Sequence, residues 1–314
     1  MEQPSGATRG ATSTNSAETL IISRCQSYRQ VSPGRRPCIL GTQRIPDCSD
    51  CSTMTTEISS ILNLRDNPIN EQQFQNNCRQ SLNTDGVLLM QNFLKADAIE
   101  SIRRDGENNS KLAYFTSTQH NVYLSPVDDT YPSDHARNRL VTSSKGCITT
   151  DRIPAESLLH DLYNSDTFKH FLCAVLDEQQ LHEYADPLSS INLHYASEGQ
   201  ELGWHFDNSS FAITLLIQKP EQGGVFEYRK DARNAEQNNM NFELVERVLD
   251  RKEPVDSVEI NPGDLVLFRG RNSMHRVSPT MGETTRMLVV LAYNTEPGIS
   301  LSESARQTFY GRLS

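Results

Sequence analysis

Three side chains in the second half of the chain have the chemistry of a metal site. His205 and Asp207 are two residues apart, and His275 follows about 70 positions later (275 minus 205). Two imidazoles and one carboxylate form the ligand set that holds non-haem Fe(II) and leaves coordination positions open. In an extended strand, His205 and Asp207 project to one side while Phe206 packs to the other. The pattern predicts that His205, Asp207 and His275 bind iron and are the catalytic residues.

A basic residue follows the second histidine and begins an alternating pattern. Arg286, Leu288, Val290 and Ala292 should share one face of a strand. If that face lines an apolar interior, the guanidinium of Arg286 needs an anion, and the distal carboxylate of 2-oxoglutarate fits its fork-shaped set of donors. The alternative is a structural ion pair with an Asp or Glu.

Two polar residues precede the first ligand by about ten positions. Asn192 and Tyr195 lie in an apolar run that predicts a strand entering the site. Either side chain could donate a hydrogen bond to the 2-oxo acid, so both are candidate cofactor-binding residues.

Composition and charge narrow the class of partner. The 314 residues, 36% of them hydrophobic, suffice for one large domain or two small ones. A formal net charge of -10 disfavours binding to nucleic acid or to an anionic membrane. No run approaches the roughly 18 apolar residues of a membrane span, and none fits a secretory signal. We therefore expect a soluble, cytoplasmic protein with a small-molecule substrate; the oligomeric state stays open.

The first 53 residues differ in composition from the rest. They are rich in Ser, Thr, Gly, Pro and Arg and show no periodicity, which predicts a disordered N-terminal extension. Its arginines are typical of an organellar transit peptide, and Met54 is an alternative natural start. Cys48 and Cys51 have the spacing of zinc ligands but lack a second pair, so reduced thiols are expected.

The remaining residues, 54–314, predict one mostly β domain with a helical layer, an α+β arrangement. Residues 54–185 should give helical support, with helices at 97–105 and 155–182 and polar loops over 106–153, while a buried strand at 86–93 should belong to the core. Residues 190–295 are dense in strands, predicted at 191–195, 211–218, 225–228, 258–260, 265–268 and 287–293. Turns at Gly223-Gly224 and at 261–264 separate them. Short strands between such turns favour a double-stranded β-helix, a jelly-roll or cupin-like core.

Several of these segments resemble a known family. Residues 203–228 (GWHFDNSSFAITLLIQKPEQGGVFEY), 267–279 (LFRGRNSMHRVSP), 295–298 (TEPG) and 309–312 (FYGR) are similar to the Fe(II)/2-oxoglutarate-dependent oxygenases that include radical halogenases of free amino acids and related hydroxylases. The resemblance extends over about 85–312, including residues 138–139 (NR) and 144–146 (SKG). It implies that His205, Asp207 and His275 are the iron ligands and that Arg286 binds 2-oxoglutarate. It also implies Fe(II), 2-oxoglutarate and O2 as cofactors, with ascorbate as a reductant.

One departure from the halogenases bears on the reaction. Those enzymes have a small residue where this chain has Asp207, which leaves a coordination position for halide. Hydroxylation of an unactivated C–H, with release of succinate and CO2, is therefore the expected reaction. The resemblance implies an amino-acid-like substrate, with candidate contacts at Asn208, Ser209, Arg139 and Tyr310.

Two other functions compete with this interpretation. One is a non-catalytic cupin-like module that binds a small acid or a metal. The other is an oxygenase that acts on a peptide or a carrier-bound substrate.

Overall fold

The computed structural model of the protein describes residues 57–314. The predicted extension at 1–53, the pair Cys48 and Cys51, and Met54 lie outside the described residues. In the described part, none of the helices has the length and apolar character to cross a bilayer. The helices are α1 (Ile58–Ile61), α2 (Gln72–Asp85), α3 (Ala96–Asn109), α4 (Leu158–Asn164), α5 (Asp166–Leu176), α6 (Phe242–Leu249) and α7 (Glu303–Tyr310), with 3-10 turns at Ser110–Leu112 and Thr150–Arg152.

Residues 57–314 also form thirteen strands, all of them between α2 and α7. They are β1 (Val87–Met90), β2 (Tyr114–Asn121), β3 (Leu140–Ile148), β4 (Ile191–Ala196), β5 (Leu202–His205), β6 (Ala212–Gln218), β7 (Gln222–Gly223), β8 (Phe226–Arg229), β9 (Asp256–Val258), β10 (Leu265–Phe268), β11 (Met274–Val277), β12 (Thr280–Met281) and β13 (Arg286–Leu291). Only β7 and β12 lie outside an 11-stranded sheet, and they pair with each other.

The large sheet folds over into two facing layers. One layer has the order β1-β10-β6-β13-β4, the other β5-β11-β8-β9, and β3 lies between β4 and β5, with β2 added to β3. All of these pairs are antiparallel. Alternate strands of the chain thus enter opposite layers, which is the topology of a double-stranded β-helix. The predicted jelly-roll core is confirmed.

Strand alternation divides the first layer into an outer and an inner face. On β4 and β13 the odd-numbered residues face outwards, where Leu193, Tyr195 and Val289 join Phe168 and Phe171 of α5 in the main hydrophobic core. The even-numbered residues of the same strands face the space between the layers. A smaller core, which includes Trp204, Phe206, Met274 and Val245 of α6, covers the second layer.

The predicted strands agree with the structure in most places. Residues 265–268 form β10, and the predicted turn before it is present, because the N–H of Asp264 donates to the carbonyl of Asn261 at 3.0 Å. The helix predicted at 155–182 is two helices. They are separated at Ser165, whose hydroxyl caps α5 by accepting from the N–H of Phe168 at 3.3 Å.

The prediction of loops over 106–153 was wrong. This range contains the last residues of α3 and the strands β2 and β3, which pair along their whole length from Tyr114↔Cys147 to Asn121↔Leu140. The strands escaped detection because their sequences, YFTSTQHN and LVTSSKGCI, are polar, with only a few apolar residues at each end. Threonines and other polar side chains are compatible with β2, a border strand whose residues are mostly exposed or half-buried, and with the half-buried first part of β3.

We expect Leu193→Ala to destabilise the fold strongly, because Leu193 is 3% exposed in the main core. The loss should be about 2–5 kcal/mol of unfolding free energy, measured by urea denaturation and circular dichroism. Leu140→Ala is the matched control, since Leu140 also belongs to a strand but is 54% exposed. Equal losses for the two variants would contradict the assignment of the outer face of β4 to the core.

Candidate metal centre and the cavity around it

The three predicted ligands converge at one point between the layers. Antiparallel pairing of β5 with β11 sets His205 directly opposite His275. One carboxylate oxygen of Asp207, Oδ1, lies 3.7 Å from Nε2 of His205 and 3.5 Å from Nε2 of His275. The ligand atoms of all three residues lie within 4.8 Å of one another. This spacing lets one ion contact two imidazoles and one carboxylate.

Both imidazoles are oriented by their own backbone. Nδ1 of His205 donates to the carbonyl of Gly203 at 2.8 Å, and Nδ1 of His275 donates to the carbonyl of Ser273 at 3.1 Å. These bonds assign the proton to Nδ1 and leave the Nε2 lone pairs free to bind a metal. Burial, together with the neighbouring His275, holds the pKa of His205 well below its usual range, so its ring is neutral at pH 7.

The carboxylate of Asp207 is packed tightly and has an orphan oxygen. Its Oδ2 is buried without any hydrogen-bond partner in the described part of the chain. A Cβ atom added to Gly270 would lie 1.8 Å from this oxygen, so only glycine leaves room for the carboxylate. The backbone of Asp207 is fixed too, because its N–H donates to the carbonyl of Gly270 at 3.1 Å and its carbonyl accepts from Arg233 at 3.3 Å. A carboxylate with Oδ1 close to two free Nε2 atoms and with Oδ2 buried without a partner among the described residues fits a divalent cation.

A cavity of about 320 Å3 lies between the layers at this site. Its walls combine the three ligands with apolar side chains from both layers, among them Leu202, Phe226, Ile260, Val266, Phe268 and Leu288. Arg286 and Val290 project into the same space, as the alternation along β13 predicted. We call this space the first chamber.

Arg286 places a buried positive charge in the first chamber. Its side chain is 7% exposed, and no carboxylate of residues 57–314 lies within salt-bridge distance of it. Burial lowers its pKa to about 10, which still leaves the guanidinium charged at neutral pH. The alternative of a structural ion pair therefore finds no support among these residues. A buried cation without a partner is costly unless an anion is bound beside it.

A second cavity of about 260 Å3 adjoins the first. The two share Lys145, His194, Asp207, Ala212, Val290 and Phe309 as lining residues. The second chamber is also lined by Asn192, Ser209 and Tyr310, three of the residues predicted from the sequence. The hydroxyl of Tyr310 donates to Oδ1 of Asn192 at 2.9 Å, which ties α7 to β4. Asn192 therefore lines the same cavity as Ser209 and Tyr310, two of the predicted substrate contacts. It does not line the first chamber, where Arg286 lies.

The other predicted site residues lie elsewhere. Tyr195 is on the outer face of β4, where its hydroxyl donates to the carbonyl of Gly106 at 2.7 Å; the prediction that it contacts the 2-oxo acid is corrected, because it has the opposite parity to Asn192. Arg139 forms an ion pair with Asp250 and lines neither chamber. Asn208 is exposed beside the second chamber without lining it, and its carbonyl accepts from Arg271 at 2.8 Å.

Four residues of the site were missed from the sequence. His120, Lys145 and His194 line the first chamber, and Gly270 supports Asp207. Strand alternation could have predicted His194, because it lies two positions from Asn192 and so shares its face of β4. In the structure it pairs with Leu288 of β13. The strands of Lys145 and His120 were not predicted, although Lys145 lies in a segment of the family resemblance, residues 144–146.

The comparisons with known proteins agree with this geometry. A family model described as Halogenase D matches residues 69–309, more than half of the chain. The chain belongs to the Halogenase D family. A search of curated proteins gave no match. The strand order and the His-Asp-His site of this family member are those of a 2-oxoglutarate-dependent iron oxygenase.

The search of solved structures found three enzymes, among others, that match this chain. A 2OG-Fe(II) oxygenase family oxidoreductase from Burkholderia pseudomallei is 11% identical, with 72% of this chain and 93% of that chain covered and a TM-score of 0.48. A prolyl-4-hydroxylase from Pseudomonas putida is 14% identical, with 69% and 97% covered and a TM-score of 0.42. The α-ketoglutarate-dependent carbocyclase SnoK from nogalamycin biosynthesis is 11% identical, with 73% and 90% covered and a TM-score of 0.49.

Substitution of Gly270 by alanine should weaken metal binding, because the added methyl group and Oδ2 of Asp207 cannot occupy the same space. We expect Fe(II) affinity, measured by anaerobic titration, to fall roughly 10–100-fold, as for other changes that displace a ligand. Ser81→Ala is the control, since Ser81 is exposed on α2. An unchanged affinity in Gly270→Ala, with native circular dichroism, would mean that Asp207 is not a ligand.

Proposed function

We propose that this protein is an Fe(II)- and 2-oxoglutarate-dependent dioxygenase that hydroxylates an unactivated C–H of a small molecule. The balanced reaction is R–H + 2-oxoglutarate + O2 → R–OH + succinate + CO2. One observation supports this proposal above the others: a His-Asp-His ligand set and an unpaired, buried arginine line the same cavity. A module that only bound metal would have no need for Arg286.

Arg286 would bind the distal carboxylate of 2-oxoglutarate. Its guanidinium offers paired donors that match a carboxylate, and the bound anion would compensate the charge buried in the first chamber. Gly224 packs against this side chain, since a Cβ atom there would lie 2.9 Å from Cδ of Arg286. The glycine therefore helps to keep the guanidinium in one orientation. The apolar walls exclude water from the remaining space, which strengthens the ion pair.

His205, Asp207 and His275 would hold Fe(II), and the backbone bonds to both imidazoles would keep the three ligands in place. When bound, the iron supplies the oxidation of the C–H bond by O2, coupled to decarboxylation of the 2-oxo acid, with ascorbate as a reductant that keeps it ferrous. The protein's own contribution is to bind the co-substrate through Arg286 and to hold the substrate in a fixed position beside the ligands.

Hydroxylation is favoured over halogenation by the carboxylate of Asp207. Its side chain occupies the position that a halide would need, and Gly270 accommodates that carboxylate closely. A small residue at position 207 would not need the space that Gly270 leaves for the carboxylate. The family name therefore does not set the reaction of this member.

The substrate would bind in the second chamber. This chamber adjoins Asp207 and is lined by Asn192, Ser209 and Tyr310, while Arg286 lines only the first chamber. A volume of about 260 Å3 suits a small molecule better than a folded protein surface.

Replacing a ligand should abolish 2-oxoglutarate turnover. We expect His205→Ala and Asp207→Ala to lower iron-dependent succinate release at least about 100-fold, since two protein ligands hold iron poorly. His170→Ala, a change in an exposed histidine of α5, should leave the rate unaltered. Succinate release at the wild-type rate in either ligand variant would rule out the assigned metal site.

Replacing Arg286 should act mainly on the co-substrate. Arg286→Met removes a charge-assisted interaction, so the KM for 2-oxoglutarate should rise roughly 10–100-fold while Fe(II) affinity is retained. Arg104→Met is the matched control, because the side chain of Arg104 is 65% exposed on α3. A KM that stays at the wild-type value would remove Arg286 from the 2-oxoglutarate site.

A further inference from the structure

Lys145 is a second cation at the centre of the site. It projects from β3 and lines both chambers, whereas Arg286 lines only the first. The family resemblance and the reaction assign no role to it. Lys145 is partly buried, and since it lines both chambers, its position allows contact with a molecule in either of them.

The ammonium group of Lys145 has no acidic partner. No carboxylate of residues 57–314 lies within salt-bridge distance of Nζ, which lies 3.2 Å from both ring nitrogens of His194. Burial and the nearby Lys145 hold the pKa of His194 well below its usual range, so this ring is neutral and accepts from the lysine. Burial lowers the pKa of Lys145, and its neighbour His194 is a neutral acceptor. An anion bound at Nζ would therefore stabilise the charged form of this lysine.

Residues 57–314 also provide the second chamber with no acid, other than the metal ligand, that could bind a cation. Among its lining residues the one carboxylate is Asp207, which is the metal ligand. The other polar groups are neutral and largely engaged within the protein. The amide nitrogen of Asn192 donates to the carbonyl of Leu188 at 2.9 Å, and the hydroxyl of Ser209 donates to the carbonyl of Phe211 at 3.0 Å. An ammonium group would meet Lys145 here without any free carboxylate to bind it.

Much of the rest of the second chamber is apolar. Phe211, Ile213, Val290, Leu301 and Phe309 contribute to its wall. A ligand that fits this space therefore has an apolar body and one anionic group directed at β3.

From this distribution of charge, and resting on the proposed function, we propose that Lys145 binds the carboxylate of the substrate. The enzyme then selects a carboxylic acid with an apolar body and no basic group. This substrate class differs from the free amino acids that the family resemblance implies, because the described residues that line the second chamber include no carboxylate other than the metal ligand Asp207 to bind an ammonium group. Each cation thus binds a different acid: Arg286 binds 2-oxoglutarate and Lys145 binds the substrate.

The test compares carboxylic acids with their own amides, which have nearly the same size but no charge. Straight and branched acids of roughly four to eight carbon atoms fit a chamber of about 260 Å3. Binding is measured by calorimetry on the full chain loaded with Zn(II), a redox-inert ion that prevents turnover, with and without 2-oxoglutarate. For at least one acid we expect binding roughly tenfold or more tighter than its amide and its 2-amino derivative.

Three variants connect this preference to Lys145. Lys145→Met, nearly equal in size, should bind acid and amide equally, while Lys145→Arg should retain the preference. Lys111→Met, a change in an exposed lysine, should behave as wild type. In all of them the affinity for 2-oxoglutarate should stay within about twofold of wild type, since Arg286 holds that acid.

The outcomes are distinct. No preference for any acid in the wild-type protein, or a preference that survives in Lys145→Met, would overturn the assignment of Lys145. Loss of 2-oxoglutarate binding in Lys145→Met would overturn it as well, by placing Lys145 in the co-substrate site. Failure of the wild-type protein to bind 2-oxoglutarate would instead refute the proposed function, and the acid preference measured without 2-oxoglutarate would still test Lys145 separately.

Discussion

The antiparallel pairing of β5 with β11 places His205 opposite His275, and the chemistry of the site depends on this register. It brings together two residues about 70 positions apart in the chain (275 minus 205) and sets each ring so that a backbone carbonyl fixes its Nδ1. A shift by one residue would turn one imidazole to the other side of its strand. Asp207 follows immediately after β5, where Gly270 leaves just enough space for its carboxylate.

Side-chain alternation along the strands also places the residues that stabilise the fold on one face and the residues that line the cavities on the other. On β4 and β13 the outward residues, such as Leu193 and Val289, are buried against the helices, and each large apolar side chain contributes about 1.5–3 kcal/mol. The inward residues of this layer and of β3 include Arg286 and Lys145, two cations without acidic partners in the described chain. Such charges destabilise an empty cavity. The apolar outer face offsets that cost, and bound acids would remove it.

Sequence reasoning predicted the parts of this arrangement that depend on spacing. The ligand set, the inward face of β13 and the jelly-roll core all followed from strand periodicity and turn residues. It missed β2 and β3 because their polar sequences have no apolar pattern, and with β3 it missed Lys145. It also grouped Asn192 with Tyr195, although residues three apart point to opposite faces. The pairing of Arg139 with Asp250, 111 positions away, has no signal in a single sequence.

The central claim is that His205, Asp207 and His275 form one iron site that adjoins a 2-oxoglutarate site at Arg286. Its most direct test is an anaerobic titration of the full chain with Fe(II) and then 2-oxoglutarate, followed by visible absorption. The claim predicts a weak charge-transfer band that saturates at one iron and one 2-oxoglutarate per chain, because the 2-oxo acid would bind the metal through its keto and carboxylate oxygens. Correctly folded protein that binds Fe(II) but develops no band with 2-oxoglutarate would contradict it.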